Sequence, residues 1–395
     1  MNDIIKRKKK VGLLERLKLV FISFFVSFLL IFFFINHNLF YPNNISCFLK
    51  NKIAEFGCGP GFPVEFEGEN VEIGNFSSVD GDCIILSDTS YTVLNKTAKA
   101  MISENHNLSN PKMKISRLRN LIYDCGGNDF RIMSKSEQIF KGKLEQNITS
   151  AAISERDTYG FITDSNTYNS EMIIFDGNKK QKYKFYFARI YASDIAIKAD
   201  GKQAAVCGLE SSSGTASSMI YVFDYKSEIP KFTFNFPGNM IISIDYLSNG
   251  NIVAIGSKSS IFIDSHGEVN EFNYRNYATP CTICVDKYSG IALTFSKTYD
   301  ERNQNIILLD KKGSLVSEIE TGRRLRSISR RHQSVAVLSE NKVLVYNTYG
   351  HLKFECNVPS SVERIELISN FNLNLLGKGN VEKICSGSSK FRMNK

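Results

Sequence analysis

The 395 residues contain no tryptophan, which excludes any repeat signature built on a Trp in every unit. Histidine is sparse. The five present (His37, His106, His266, His332, His351) stand in separate stretches with no His-Glu-x-x-His or comparable spacing, so a catalytic metal has little to bind to. There is no signature of wholesale disorder either, because 43% of the side chains are hydrophobic and 23% charged. The net charge of +9 thins out once it is divided along the chain. Residues 1–18 hold seven of the 49 basic residues (Lys6, Arg7, Lys8, Lys9, Lys10, Arg16, Lys18) and two of the 40 acidic ones (Asp3, Glu15). The other 377 residues keep 42 against 38, a net of only +4. A broad nucleic-acid footprint needs basic residues massed on the folded part, so nucleic acid is not an expected partner.

Leu19 to Ile35 is seventeen residues with no charge and only two serines. That lies at the short end of what crosses a bilayer, and the chain to residue 40 extends it through the interface. The expected order is a basic cytoplasmic tail (1–18), one transmembrane helix (19–40), a spacer (41–61) rich in Asn, Gly and Pro, a folded domain (62–386) and a short tail (387–395). The excess of basic residues before the helix predicts a single-pass protein of the cell membrane, with its N-terminus cytoplasmic and its large domain extracytoplasmic. A cleaved signal peptide has the same charge order, but no Ala-x-Ala-like site follows the apolar run. A lipoprotein signal would need an aliphatic residue three positions before Cys47, where Asn44 stands.

Beyond residue 62 an apolar run ending on a small polar residue recurs at intervals near forty. The runs end at Asn95, Ser134, Asp176, Asp224, Asp264, Asp310 and Asn347, with Lys383-Ile-Cys-Ser386 as a faint eighth. Turn dipeptides keep the same phase at Asp80-Gly81, Tyr159-Gly160, Asp200-Gly201, Asn249-Gly250 and Ser289-Gly290. A fixed period of this length with β-type segments predicts a closed all-β propeller of four-stranded blades. Eight blades are preferred, and seven remain if the faint unit is only a tail. The last unit has room for three strands, and Phe62-Pro-Val-Glu-Phe-Glu67 is an orphan strand ahead of the first. Pairing the two closes the ring without an exposed edge.

With its basic N-terminus, single apolar helix and D-x-x-G-like blade turns, the chain resembles an uncharacterised family of single-pass, membrane-anchored propellers from Gram-positive anaerobes. That family is of the broad WD-repeat-like and quinoprotein-like type. Quinone-dependent propeller enzymes repeat a Trp in every blade, which this chain lacks, so no cofactor is expected. The aspartates of the blade turns are read as turn formers, since Asp and Asn bond their own backbone two residues on. Cys281 and Cys284 lie in one predicted strand, where residues three apart face opposite sides and hold no common ion. Most cysteines are read as reduced core residues, although Cys47 and Cys58 could pair across the spacer.

The candidate binding residues are Arg323, Arg324 and Arg326, at the head of a run of five arginines in nine residues that can take a phosphate or carboxylate. They belong to the link between units six and seven. The two longest repeat steps put their extra residues in second-to-third-strand loops that open on the same rim. The resulting expectation is a non-enzymatic anchored scaffold that binds a protein or an anionic envelope component. The alternative is a hydrolase or lyase with converging carboxylates in the propeller channel. A third reading gives the contacts to the basic tail, Lys6 to Lys18.

Overall fold

The computed structural model describes residues 13–35, 40–212, 215–275, 277–297, 300–385 and 392–393. Residues 64–385 form eight antiparallel sheets in sequential order. Blades 1 to 7 span 76–105, 111–143, 148–187, 191–237, 241–273, 282–323 and 327–357. Blade 8 takes three strands from 362–384 and its fourth from the N-terminal side, where Val64 pairs with Val381 and Glu65 with Asn380. The ring is therefore closed by the orphan strand, with eight blades. Arg392–Met393, from the expected tail, adds a fifth strand to blade 7.

Within a blade the two middle strands are covered on both faces by neighbouring blades, so they carry continuous apolar runs rather than alternation. Every residue of Asp82–Leu86 and Ser90–Leu94 is buried, as is every residue of Ile252–Gly256 and Ser259–Ile263. Outer strands alternate, as Phe232, Phe234 and Phe236 do in packing toward the blade 4–blade 5 core of Val222, Ile244, Ile252 and Ile261. Each fully buried Ile, Leu or Phe contributes about 1.5–3 kcal/mol.

The period originates in the turn between third and fourth strands. The Asp310 Oδ1 accepts from the amides of Lys312 (2.8 Å) and Ser314 (2.9 Å), and the Asn347 Oδ1 from those of Tyr349 and His351 (both 3.0 Å). Asn95, Asp176 and Asp264 repeat the pattern. Ser134 reproduces it with a hydroxyl. Ser386 lies outside the described residues.

Asp80-Gly81 is a two-residue hairpin with both φ angles positive (56° and 90°). Tyr159-Gly160 is not a turn. Gly160 lies within the second strand of blade 3, opposite Ala152 and Ile174, and the turn is three residues earlier at Asp157 (φ 67°). The glycine serves close packing, since a Cβ there would fall 2.4 Å from the Ile174 side chain.

The first helix, α1 (Leu13–Ile35), contains the apolar window Arg16–Phe34, none of which is buried. It is a candidate membrane span by length and composition. The expected spacer differs from the structure: Pro42–Glu55 is a helix, α2, packed on the propeller. Asn44 and Asn51 are buried on its protein side beside Cys47 and the half-buried Phe48, whereas Ile45, Leu49 and Ile53 face out, which departs from the pattern by which a surface helix is recognised. All nine cysteines are free. Cys47 is buried against Leu118 and Cys58 is exposed. Cys284 accepts from the Arg330 amide while Cys281 meets Ser296.

Candidate functional site

Turns joining first to second and third to fourth strands open on one face of the ring, the turn face. Hairpins joining second to third strands and the links between blades open on the other, the hairpin face.

Helix α2 is bound to the turn face of blades 1 to 3. Asn44, fully buried, donates to the Glu155 carbonyl (3.0 Å), and Asn51 to that of Leu118 (3.3 Å). Arg119 donates through Nη1 to Asp157 and to Asn44 Oδ1 (2.5 Å), and through Nη2 to the Asn43 carbonyl (2.7 Å). At the far end, the Asn95 amide donates to the carbonyls of Glu55 and Gly57 (both 3.0 Å), and the Lys99 ammonium to those of Ala54 (3.0 Å) and Phe56 (2.6 Å). The last carbonyls of the helix are thereby satisfied.

Next to α2 a cavity of about 410 Å³ occupies the channel mouth, lined by Arg117, Glu155, Lys198, Asp200, Lys287 and Tyr288 among others. A second, about 430 Å³, lies between blades 7, 8 and 1, where Lys96, Arg331, His332 and Lys383 outnumber Asp80. Asp80 is itself met by Arg117 at 3.3 Å.

Deeper in, the innermost strands carry charges that cross between blades. Asp194 of blade 4 accepts from Lys114 of blade 2 (3.1 Å) and Ser150 of blade 3 (2.7 Å) through Oδ1, and from the Ile244 amide of blade 5 (3.1 Å) through Oδ2. Lys287 lies 3.5 Å from Asp245, and Ser329 donates to Glu366 at 3.0 Å. Burial is the largest single influence on the Lys114 ammonium and pulls it down, but the Asp194 charge and hydrogen bond together with Tyr123 and Asp245 more than offset it, and the net shift is upward. The Asp245 charge likewise raises Lys287 against burial. The Lys114 side chain keeps 36% of its surface open, so channel water reaches it while protein surrounds it. Asp194, Asp245 and Glu366 are each engaged by a cation or hydroxyl from a neighbouring blade. Among the described residues no three His, Cys, Asp or Glu side chains gather closely enough to hold a metal.

Glu366 is the carboxyl whose state changes near neutrality. Burial pushes it up to about 7 from an ordinary 4.5, against the pull of Ser329 and Arg331. Between those values the folded protein holds a proton that the unfolded chain releases. The stabilisation is therefore complete below pH 4.5 and lost as pH rises through 7. Glu366→Gln is expected to flatten this slope and to be more stable than wild type by about 1–3 kcal/mol at pH 8, but not at pH 4. Urea unfolding across that range checks it, and an unchanged slope would remove Glu366 from the account.

The arginine run is divided between structure and surface. Arg330 is buried and donates to the carbonyls of Ile291, Leu309 (2.7 Å) and Ser289 (3.0 Å) in blade 6. Arg331 donates to Ser78 of blade 1 and Leu367 of blade 8 (both 3.2 Å). Arg326 donates to the Glu340 carbonyl and to that of Val362 (3.1 Å). Arg323 ends the outer strand of blade 6 opposite Gln304, and Arg324 is exposed beside it at the hairpin face. The expected loop insertions are extended strands instead. Gln203–Ser212 pairs with Thr215–Asp224, and Asp300–Leu309 lengthens blade 6 in the same direction. The residues the sequence reading missed are Asp194, Lys114, Lys287 and Glu366. Their signal was a charge in or beside the apolar strand that opens a blade.

Sheet order and ring closure define an eight-bladed β-propeller. Within that class, the chain matches the family of unknown function DUF5711 over residues 64–385 and belongs to it. No curated protein sequence matches it significantly. Solved structures of similar architecture include BamB from Moraxella catarrhalis, at 12% identity and a TM-score of 0.55, covering 82% of this chain and 98% of that one. The computationally designed Ika8 protein aligns at 10% identity and a TM-score of 0.57, covering 82% and 98%. The C-terminal WD40 domain of Sif2 aligns at 10% and 0.55, covering 83% and 99%. At these identities the likeness is one of fold.

Proposed function

We propose that this chain is a non-enzymatic, membrane-anchored propeller that displays its hairpin face outside the cell to a protein or an anionic envelope component. The observation that carries this reading is the seating of α2. Residues 36–41 separate the candidate span from α2, and six residues reach at most about 20 Å. The anchor thus leaves from the turn face, and the opposite face is the one turned away from it. Arg323 and Arg324 supply guanidinium groups suited to carboxylate or phosphate on that face, and Arg326 pins the link they sit on. Rigid frames with extended hairpins commonly present binding residues in this way. The basic tail before α1 favours a cytoplasmic N-terminus.

The test is photocrosslinking in cells with a benzophenone residue at Arg324 and, for comparison, at Asn249 on the turn face. A partner adduct is expected at Arg324, and Arg323→Glu alongside is expected to reduce it roughly tenfold. Equal yields from both faces, or none from a folded and inserted protein, would sink the reading.

A further inference from the structure

Helix α2 keeps its longest apolar stripe outward. Its protein side is mixed, with Asn44 and Asn51 buried on the turns of blades 2 and 3 and Cys47 and the half-buried Phe48 packed with Leu118 between them. Its outward side carries Ile45, Leu49 (54% exposed) and Ile53 (75%), four residues apart on one stripe, followed by Phe56 (85%). A surface helix in water has the opposite arrangement. Exposed Lys50 and Lys52 flank the stripe, and their nearest anions are Glu137 (2.7 Å) and Glu55 (2.5 Å). The surrounding turns are of mixed charge, with Lys96, Lys179, Lys180 and Lys312 exposed on the same face beside Asp80, Glu228 and Glu268, and they also expose the rings of Tyr288, Tyr349 and Phe371.

Apolar stripe, flanking lysines and exposed aromatics together are the chemistry of a surface that lies in the headgroup region of an anionic bilayer. The chain also places α2 there. The Phe40 ring packs on Phe33 near the end of α1, with centroids 4.3 Å apart, and α2 starts two residues later. We infer that the outer stripe of α2 is immersed in the interface of the bilayer that α1 enters, so that the turn face rests on anionic lipid. This rests on the anchored reading above.

The full chain is reconstituted into phosphatidylcholine vesicles with and without phosphatidylglycerol, carrying a benzophenone residue at Leu49, Ile53 or Arg324. Lipid adducts at Leu49 and Ile53 are expected to exceed those at Arg324 roughly tenfold and to rise with phosphatidylglycerol. None of these side chains is buried, so the propeller is expected to fold in each variant. Adducts to a second copy of the chain at Leu49 and Ile53 would overturn the inference. So would lipid yields no higher than at Arg324 while alkali leaves the protein in the membrane. A chain that alkali releases overturns the anchored reading, and this inference with it.

Discussion

Asp194→Ala is expected to destabilise the propeller by about 2–4 kcal/mol, below the full cost of breaking a buried ion pair from one side because channel water reaches the Lys114 ammonium. Asp194 is 8% exposed and joins four blades, taking the Lys114 ammonium, the Ser150 hydroxyl and the Ile244 amide. Alanine strands the ammonium inside the channel and orphans a buried backbone donor, each of which carries its own desolvation penalty. Asp194→Asn keeps the shape and one acceptor oxygen but no charge, so an intermediate loss is expected. In the double variant with Lys114→Met the loss should fall below the sum of the single ones, since neither charge is then left alone. Urea unfolding followed by circular dichroism measures all four variants, Lys114→Met alone included. A loss for Asp194→Ala within about 1 kcal/mol of zero would mean that the hub is cosmetic.

The architecture was legible because the residues that set it act locally. Asp310 and Asn347 bond amides two and four residues ahead, so their chemistry is written in the same few letters as the turn. The closing strand was legible by deficit, since the last unit lacked a strand and the first had one to spare. The channel charges were not legible. Lys114 and Asp194 are 80 residues apart, and Asp194 and the Ile244 amide 50. Nothing in either stretch specifies which blades become neighbours around the channel. The arginine run was visible as a cluster but not as a division of labour. Arg330 and Arg331 end up on carbonyls of blades 6, 8 and 1 because each blade leaves main-chain acceptors at its seam. Helix α2 is masked in the sequence by its Asn and Pro content and by an apolar stripe, Ile45, Leu49 and Ile53, that faces out while Asn44 and Asn51 are buried, and Tyr159-Gly160 misleads because glycine serves close packing as well as turns.

Arg119→Ala is expected to cost about 3–5 kcal/mol, with a different signature, the release of α2. The Arg119 and Asp157 side chains are only 9% and 10% exposed. The same guanidinium holds Asp157 of blade 3 and both Asn43 and Asn44 of the helix, so one substitution unpairs a buried carboxylate and removes the clamp on the start of α2. Burial already pushes the Asp157 carboxyl upward, and Arg119 pulls it back. Without the arginine the folded variant holds that proton to higher pH than the unfolded chain does. The variant should therefore lose stability, relative to wild type, as pH rises from the acid side toward neutrality. Arg119→Lys retains the charge but not the fork that reaches carboxylate and carbonyl together, and should recover only part of the loss. Amide hydrogen exchange of α2 is the discriminating measurement. Full protection of these amides in Arg119→Ala would show that Asn95 and Lys99 hold the helix from its other end unaided. If protection collapses in detergent but persists in anionic vesicles, the membrane is holding the outer apolar stripe of α2 after the propeller has released its inner side.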